Sequence, residues 1–235
     1  MAEIVASTPA SALAIYAHPD DPEVSCGGTL ANWAAAGAHV HVAVACMGDK
    51  GSSDPTDDPS ALTERRRAEV ASATSVLGVR GYDLFGYPDG ELEDTVALRR
   101  RLVELVRRVR PEVVLCPDPT ATFFGQRYVN HRDHRTIGWA TLDAVAPASW
   151  MPLYFPEAGP AHRVQAIYLS GTIEPDLWVD VSASIEVKTE ALLCHESQLG
   201  EGGEWLRTVV RERAEEAGRA VGVRYAEGFR VLYPS

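Results

Sequence analysis

Short unbroken apolar runs alternate along this chain with stretches whose apolar residues recur every three to four positions. Residues 12–17 (ALAIYA) read as a buried strand, and 26–36 as a helix that stops at Gly37. Residues 40–46 are strand-like and lead into a Gly/Ser/Asp/Pro loop over 48–60. Helical spacing returns over 61–77 and closes at Gly78; 82–85 form a weak strand; 95–110 form an amphipathic helix halted by Pro111. A further buried strand, 112–116 (EVVLC), precedes a long loop over 117–130 and a helical stretch over 134–145. Beyond it, 164–170 and 177–181 look like strands, 184–198 and 204–218 like helices, and 229–233 like a final strand. Repeated strand-then-helix units imply a mostly parallel sheet with helices on both faces. The expectation is one α/β, Rossmann-like domain over residues 1–235.

Length agrees, since 235 residues build one well-buried domain without requiring two. The formal net charge of −11 argues against nucleic acid or an anionic membrane surface as partner, because either favours a basic face. The one dense basic run, Arg99-Arg100-Arg101 with Arg107, Arg108 and Arg110, falls on the amphipathic helix and reads as its solvated face. No apolar run approaches the roughly 20 residues that span a bilayer. Residues 1–10 lack the basic start and apolar stretch of a secretory leader, so the expected location is cytoplasmic. The four cysteines, Cys26, Cys46, Cys116 and Cys194, form no CxxC pair and suit neither a disulfide framework nor a thiolate metal site. Any metal is therefore expected on His and carboxylate ligands. Nothing in the sequence sets the oligomeric state, which leaves a homo-oligomer open.

In open parallel sheets ligands collect beyond the carboxyl ends of the strands, and the polar clusters of this chain fall there. His18-Pro19-Asp20-Asp21-Pro22-Glu23 follows the first buried strand. Asp49 and Asp89 follow the next two, and Asp118 with His131-Arg132-Asp133-His134 follows the fourth. A catalytic zinc takes three nitrogen or oxygen ligands and keeps a position open. From one turn His18 and Asp21 can face the same ion, leaving Asp20 beside it as a general base. The competing reading makes the same turn a helix N-cap, as Asp often provides. His131 and His134, straddling a helix start, can supply one ligand and one acid.

The run AHPDDPE with Gly27-Gly28 and the later HRDH resembles the LmbE-like de-N-acetylase superfamily. That superfamily includes N-acetylglucosaminyl-phosphatidylinositol deacetylases and the deacetylases of mycothiol and bacillithiol synthesis. Supporting matches are Arg66-Arg67-Ala68-Glu69, Gly86-Tyr87-Pro88-Asp89-Gly90 and Ala226-Glu227-Gly228-Phe229-Arg230. The resemblance implies a zinc-dependent amidohydrolase that removes an N-acetyl group from a small amino-sugar substrate. It implies zinc on His18, Asp21 and His134, with Asp20 as general base. His131 would be the protonated group that stabilises the oxyanion, its pKa raised by a hydrogen bond to Asp133. Arg66 and Asp89 match positions that contact sugar hydroxyls. Glu23 is expected to cap or support, not to ligate. Two other readings stay open: the same zinc site acting on thiol conjugates or larger amides, and a non-catalytic nucleotide-binding α/β module suggested weakly by Gly27-Gly28. The loops at 48–60, 117–130 and 154–162, with Phe123, Phe124, Tyr128, Tyr154 and Phe155, are expected to shape specificity.

Overall fold

The computed structural model describes residues 3–5, 7–199 and 203–235. Residues 1, 2 and 6 of the stretch read above for a leader lie outside the described residues. The strands are β1 (Glu3–Ile4), β2 (Ser11–Tyr16), β3 (His39–Cys46), β4 (Gly81–Tyr87), β5 (Val113–Pro117), β6 (Phe123–Phe124), β7 (Tyr128–Val129), β8 (Ala166–Ser170), β9 (Leu177–Asp180) and β10 (Ala226–Leu232). The helices are α1 (Asp21–Ala35), α2 (Pro59–Val76), α3 (Val96–Val109), α4 (Arg132–Asp143), α5 (Ile185–Leu193), α6 (Glu196–Leu199) and α7 (Gly203–Arg219).

Among the described residues the main sheet has eight strands in the order β1-β9-β10-β8-β5-β2-β3-β4. From β8 to β4 every pairing is parallel, and β10 is the antiparallel strand, inserted between β8 and β9. The expected α/β architecture is therefore present, with β2 at the middle of the five parallel strands β8-β5-β2-β3-β4. Alternation along β2 explains why the sheet is buried on both faces. Ala12, Ala14 and Tyr16 enter a core with Leu30, Trp33, Leu77, Leu192 and Phe229, on the side of α1, α2, α5 and α7. Leu13 and Ile15 enter the other, with Leu98, Leu102, Val106 and Ile137 of α3 and α4. Strands buried on both faces read as continuous apolar runs, which is why 12–17 and 112–116 stand out in the sequence.

After β2 the chain turns one way to β3 and β4, and later the other way to β5 and β8. The crevice beyond the carboxyl ends of β2 and β5 is thus the topological switch point, where open α/β sheets place their ligands. The turn 18–20 leaves β2 there, and α4 follows β5 there.

Three details depart from the sequence reading. α1 begins at Asp21 instead of 26, with a proline in its first turn, and Cys26 (φ −148°, ψ 19°) breaks it. The 117–130 loop contains the two-stranded ribbon β6-β7. The 184–198 stretch splits into α5 and α6 around a turn at Cys194–His195. No helix among the described residues is long and apolar enough to cross a membrane.

Candidate metal centre

The turn after β2 is built under strain. Asp20, the N-cap of α1, has φ 90° and ψ −29°, a left-handed backbone that side chains other than glycine rarely adopt. Its own side chain caps nothing. The peptide before it is held by Arg66 of α2, which is 3% exposed and donates from Nη2 to Pro19 O at 3.1 Å and from Nη1 to Gly48 O at 3.2 Å. Gly48 is required there twice over, by its φ of 66° and because a Cβ would stand 1.9 Å from Arg66 Nη1. Arg66 Nη2 also lies 3.5 Å from Asp20 Oδ1.

The turn brings three ligand atoms together with α4. His18 Nδ1 and His134 Nε2 are 3.2 Å apart. The Asp21 carboxylate faces both rings, with Oδ2 3.4 Å from His18 Nδ1 and Oδ1 3.2 Å from His134 Nε2. A tetrahedral zinc about 2.1 Å from each ligand atom sets those atoms about 3.4 Å apart, so the donor set fits the ion by spacing as well as by chemistry. The far ring nitrogens are also set for ligation. His134 Nδ1 meets Asn130 Oδ1 at 3.0 Å, and His18 Nε2 meets Asp89 Oδ1 at 3.0 Å and Asp133 Oδ2 at 3.3 Å. Acceptors on the outer nitrogens keep the protons there and turn the lone pairs of His18 Nδ1 and His134 Nε2 inward.

The electrostatics have one theme: a concentration of carboxylate calling for a cation. Burial pulls the His18 pKa down, but its bonds to Asp133, Asp21 and Asp89 override this and raise it to about 12. Burial pushes Asp21 up, and the imidazoles of His134 and His18 outweigh it, holding the carboxyl well below its usual range. Asp133 is held at about 2 against its burial, by the His18 bond and the Gly90 N–H. Asp20 goes the other way, to about 7, because burial and the neighbouring Asp21 outweigh Arg66.

The residues expected from the sequence are gathered here, though not all in the attitude expected. His18, Asp21 and His134 are grouped together, while Asp20, next to Asp21 in the chain, has its carboxylate 3.5 Å from Arg66 Nη2. Asp133 is fully buried; its carboxylate accepts the N–H groups of Gly90 at 2.7 Å and Leu92 at 3.2 Å and faces His18. It does not receive a hydrogen bond from His131. Instead the Asp133 backbone N–H donates to His131 Nδ1 at 3.2 Å, and the carboxylate stands 3.9 Å away. The His131 pKa is consequently lowered, by burial and the His18 charge, with Asp133 raising it by less. Asp89 turns its carboxylate onto His18, and Arg66 donates to the carbonyls of Pro19, in the turn after β2, and Gly48, in the loop after β3. Glu23 is 2% exposed and lies 3.3 Å from Nε2 of the buried His195. Gly27-Gly28 are inside α1, and the Gly28 and Thr29 N–H groups are taken by Glu227, which removes the loop a nucleotide phosphate would need. Phe123, Tyr128 and Tyr154 are exposed; Phe124 packs 5.7 Å from Tyr128, and Phe155 lies under Arg100.

Asn130 and His195 were not singled out in the sequence. The signal for Asn130 is an amide four residues before His134, a candidate ligand; His195 sits in no motif.

Known proteins resemble this chain, some of them over nearly its whole length. The diacetylchitobiose deacetylase of Thermococcus kodakarensis is 34% identical over 225 residues, covering 94% of this chain and 82% of that protein. A 1D-myo-inositol 2-acetamido-2-deoxy-alpha-D-glucopyranoside deacetylase of Kineococcus radiotolerans is 31% identical, covering 60% of this chain and 46% of that protein. In structure, the N,N'-diacetylchitobiose deacetylase of Pyrococcus horikoshii, solved with an inhibitor, superposes with a TM-score of 0.87 at 29% identity, covering 96% of this chain and 84% of that one. Matched over residues 13–145, more than half its length, by the family model PIG-L (GlcNAc-PI de-N-acetylase), the chain belongs to that family of deacetylases.

Proposed function

We propose that this protein is a zinc-dependent N-deacetylase that hydrolyses the acetamide of a small N-acetylglucosamine-type substrate. The observation that carries the reading is the grouping of His18 Nδ1, the Asp21 carboxylate and His134 Nε2. The names of the relatives, deacetylases of diacetylchitobiose and of a glucosaminyl inositol, supply the substrate class.

His18, Asp21 and His134 hold the ion. A zinc ion in that place supplies the Lewis acidity that lowers the pKa of water toward about 7 and polarises an amide carbonyl. Asp20, adjacent to the ligand Asp21 but not part of that grouping, takes the proton of the attacking water. His131 has Nδ1 occupied by the Asp133 N–H, so Nε2 is the ring atom that donates to the carbonyl oxygen as negative charge develops there. Its side chain, 42% exposed, is open to an incoming substrate. Asp133 and Asp89 keep His18 in its ligating tautomer, and Arg66 keeps the Asp20 turn in shape. No side chain is needed as nucleophile.

The test is direct. Purified protein loaded with one equivalent of zinc is incubated with N,N'-diacetylchitobiose and with N-acetylglucosamine, and released acetate is measured. Acetate release by wild type, lost in His134→Ala together with bound zinc, is the expected result. Full zinc retention in both His18→Ala and His134→Ala would overturn the ligand set. Absence of acetate from every N-acetylated amino sugar would overturn the substrate class.

A further inference from the structure

Two sequence features take no part in that chemistry, yet they meet in the interior. Gly27-Gly28 follow Cys26, where α1 is interrupted. The interruption separates one turn, carrying Asp21 and Glu23, from the body of the helix. A helix end leaves carbonyls on one side and N–H groups on the other without intrahelical partners. Here Glu227 of β10, 5% exposed, accepts the Gly28 N–H at 3.0 Å and the Thr29 N–H at 2.8 Å. Lys188 of α5, also buried, donates from Nζ to Glu227 Oε1 at 2.5 Å and to Val24 O at 2.9 Å. One ion pair thus serves both edges of the break. The glycines make the room: a Cβ on Gly27 would stand 3.2 Å from Lys188 Cγ, and one on Gly28 2.7 Å from Val181 Cβ and 3.2 Å from Glu227 Oε1.

A break resets the phase of a helix, so the body of α1 does not dictate where Asp21 points. The turn must be oriented by its own contacts, and Lys188 on Val24 O, with His195 on Glu23, ties it to the C-terminal part of the chain. We infer that Lys188 and Glu227 are positioning residues for metal binding, clamping the ligand-bearing first turn of α1 onto β10. This rests on the reading of Asp21 as ligand and Asp20 as base. Glu227 sits in the Ala226-Glu227-Gly228-Phe229-Arg230 motif, and the inference gives that motif and the glycine pair a single purpose.

The experiment compares wild type with Glu227→Gln, Lys188→Met and Glu227→Asp, the last keeping the charge while withdrawing the carboxylate from Gly28 and Thr29. Leu105→Ala, in the core on the other face of the sheet, is the control for lost stability. Three quantities are read: amide exchange of residues 18–29 in zinc-free protein, zinc affinity by chelator competition, and kcat with KM at saturating zinc. Glu227→Gln and Lys188→Met are expected to speed exchange selectively in 18–29 and to weaken zinc about 10–100-fold, the range for residues that orient metal ligands. They should lower kcat with KM within about twofold, while Leu105→Ala lowers the thermal midpoint and leaves zinc affinity and kcat in place. If the two stronger variants do not fold, Glu227→Asp carries the test, with zinc weakened at least threefold. Variants that lose midpoint as Leu105→Ala does, but keep zinc affinity, kcat and exchange of 18–29, overturn the inference. A wild type that binds zinc but releases no acetate counts against the deacetylase reading alone, because exchange and zinc affinity still report on the clamp.

Discussion

At Asp20 the mechanics of the turn and its chemistry can be separated by two substitutions. Its φ of 90° places a Cβ-bearing residue in the left-handed region. That conformation costs an ordinary L-residue about 1–2 kcal/mol. In most places glycine is the poorer residue, by about 0.5–1 kcal/mol relative to alanine, because it has more freedom to lose. At position 20 the two effects oppose each other. Asp20→Ala keeps the strain, and Asp20→Gly removes it for the smaller entropic cost. Loss of the Arg66 contact at 3.5 Å and of the repulsion with Asp21 is common to both variants and cancels between them. Asp20→Gly should therefore be the more stable of the two, by about 0.5–1 kcal/mol, reversing the usual order. Urea unfolding at pH 7 with matched zinc content measures the difference. Turnover should fall in both by about 10²–10⁴, the range for a removed general base. An Asp20→Ala protein more stable than Asp20→Gly would refute the left-handed turn, and turnover within tenfold of wild type would refute the base.

Three further outcomes are expected. Asn130→Ala frees His134 Nδ1 from its acceptor and should weaken zinc by about 10–100-fold in a chelator titration, with the fold unchanged by circular dichroism. Arg107, 3% exposed, donates to six carbonyl oxygens between Ala148 and Gly159. Arg107→Met leaves those carbonyls short of donors and should cost about 3 kcal/mol or more in denaturant unfolding. Asp83 is pushed up by burial but held below the usual range by bonds from His41 Nε2 and Arg108 Nη2, each 2.7 Å. A carboxyl depressed in the folded state adds stability above its unfolded pKa and loses it as pH falls through the folded one. The loss of thermal midpoint in Asp83→Asn should accordingly be present at pH 7 and shrink below about pH 4.

The sequence carries the parallel core openly because its strands are covered twice, and a twice-covered strand has no polar face to interrupt the apolar run. It carries β10 poorly: alternation marks residues 229–233 as a strand, but nothing local says that the strand enters between β8 and β9 in the opposite direction. The candidate metal group is legible because His18, Asp21 and His134 are polar residues stranded at strand ends and helix starts. The roles of Arg66 and Asp89 are not legible to the same degree. A long side chain on a helix reads as exposed, and only the packed structure shows the Arg66 guanidinium folded under the turn onto Pro19 O. In the same way a carboxylate after a strand can face substrate or a neighbouring imidazole, and the sequence does not choose. The break at Cys26 was half visible: the helical pattern begins at 26 because the preceding turn, with its Pro22 and acidic residues, follows another phase.

The insertion of β10 also has a consequence for how the molecule is made. β8 and β9 are close in the chain, yet in the folded sheet they are not neighbours, because β10, much later in the chain, lies between them. The contacts that β10 completes are among the longest in the chain: Gly28 to Glu227 spans 199 residues. Pairings at such separation form late, because the closure entropy of the whole intervening loop must be met first. A ribosome-bound chain can assemble β2, β3, β4 and β5 and bring His18 near His134. Until residues 226–232 leave the tunnel, however, the sheet holds an open slot between two apolar strands. That interval is when the nascent protein is most exposed to mispairing.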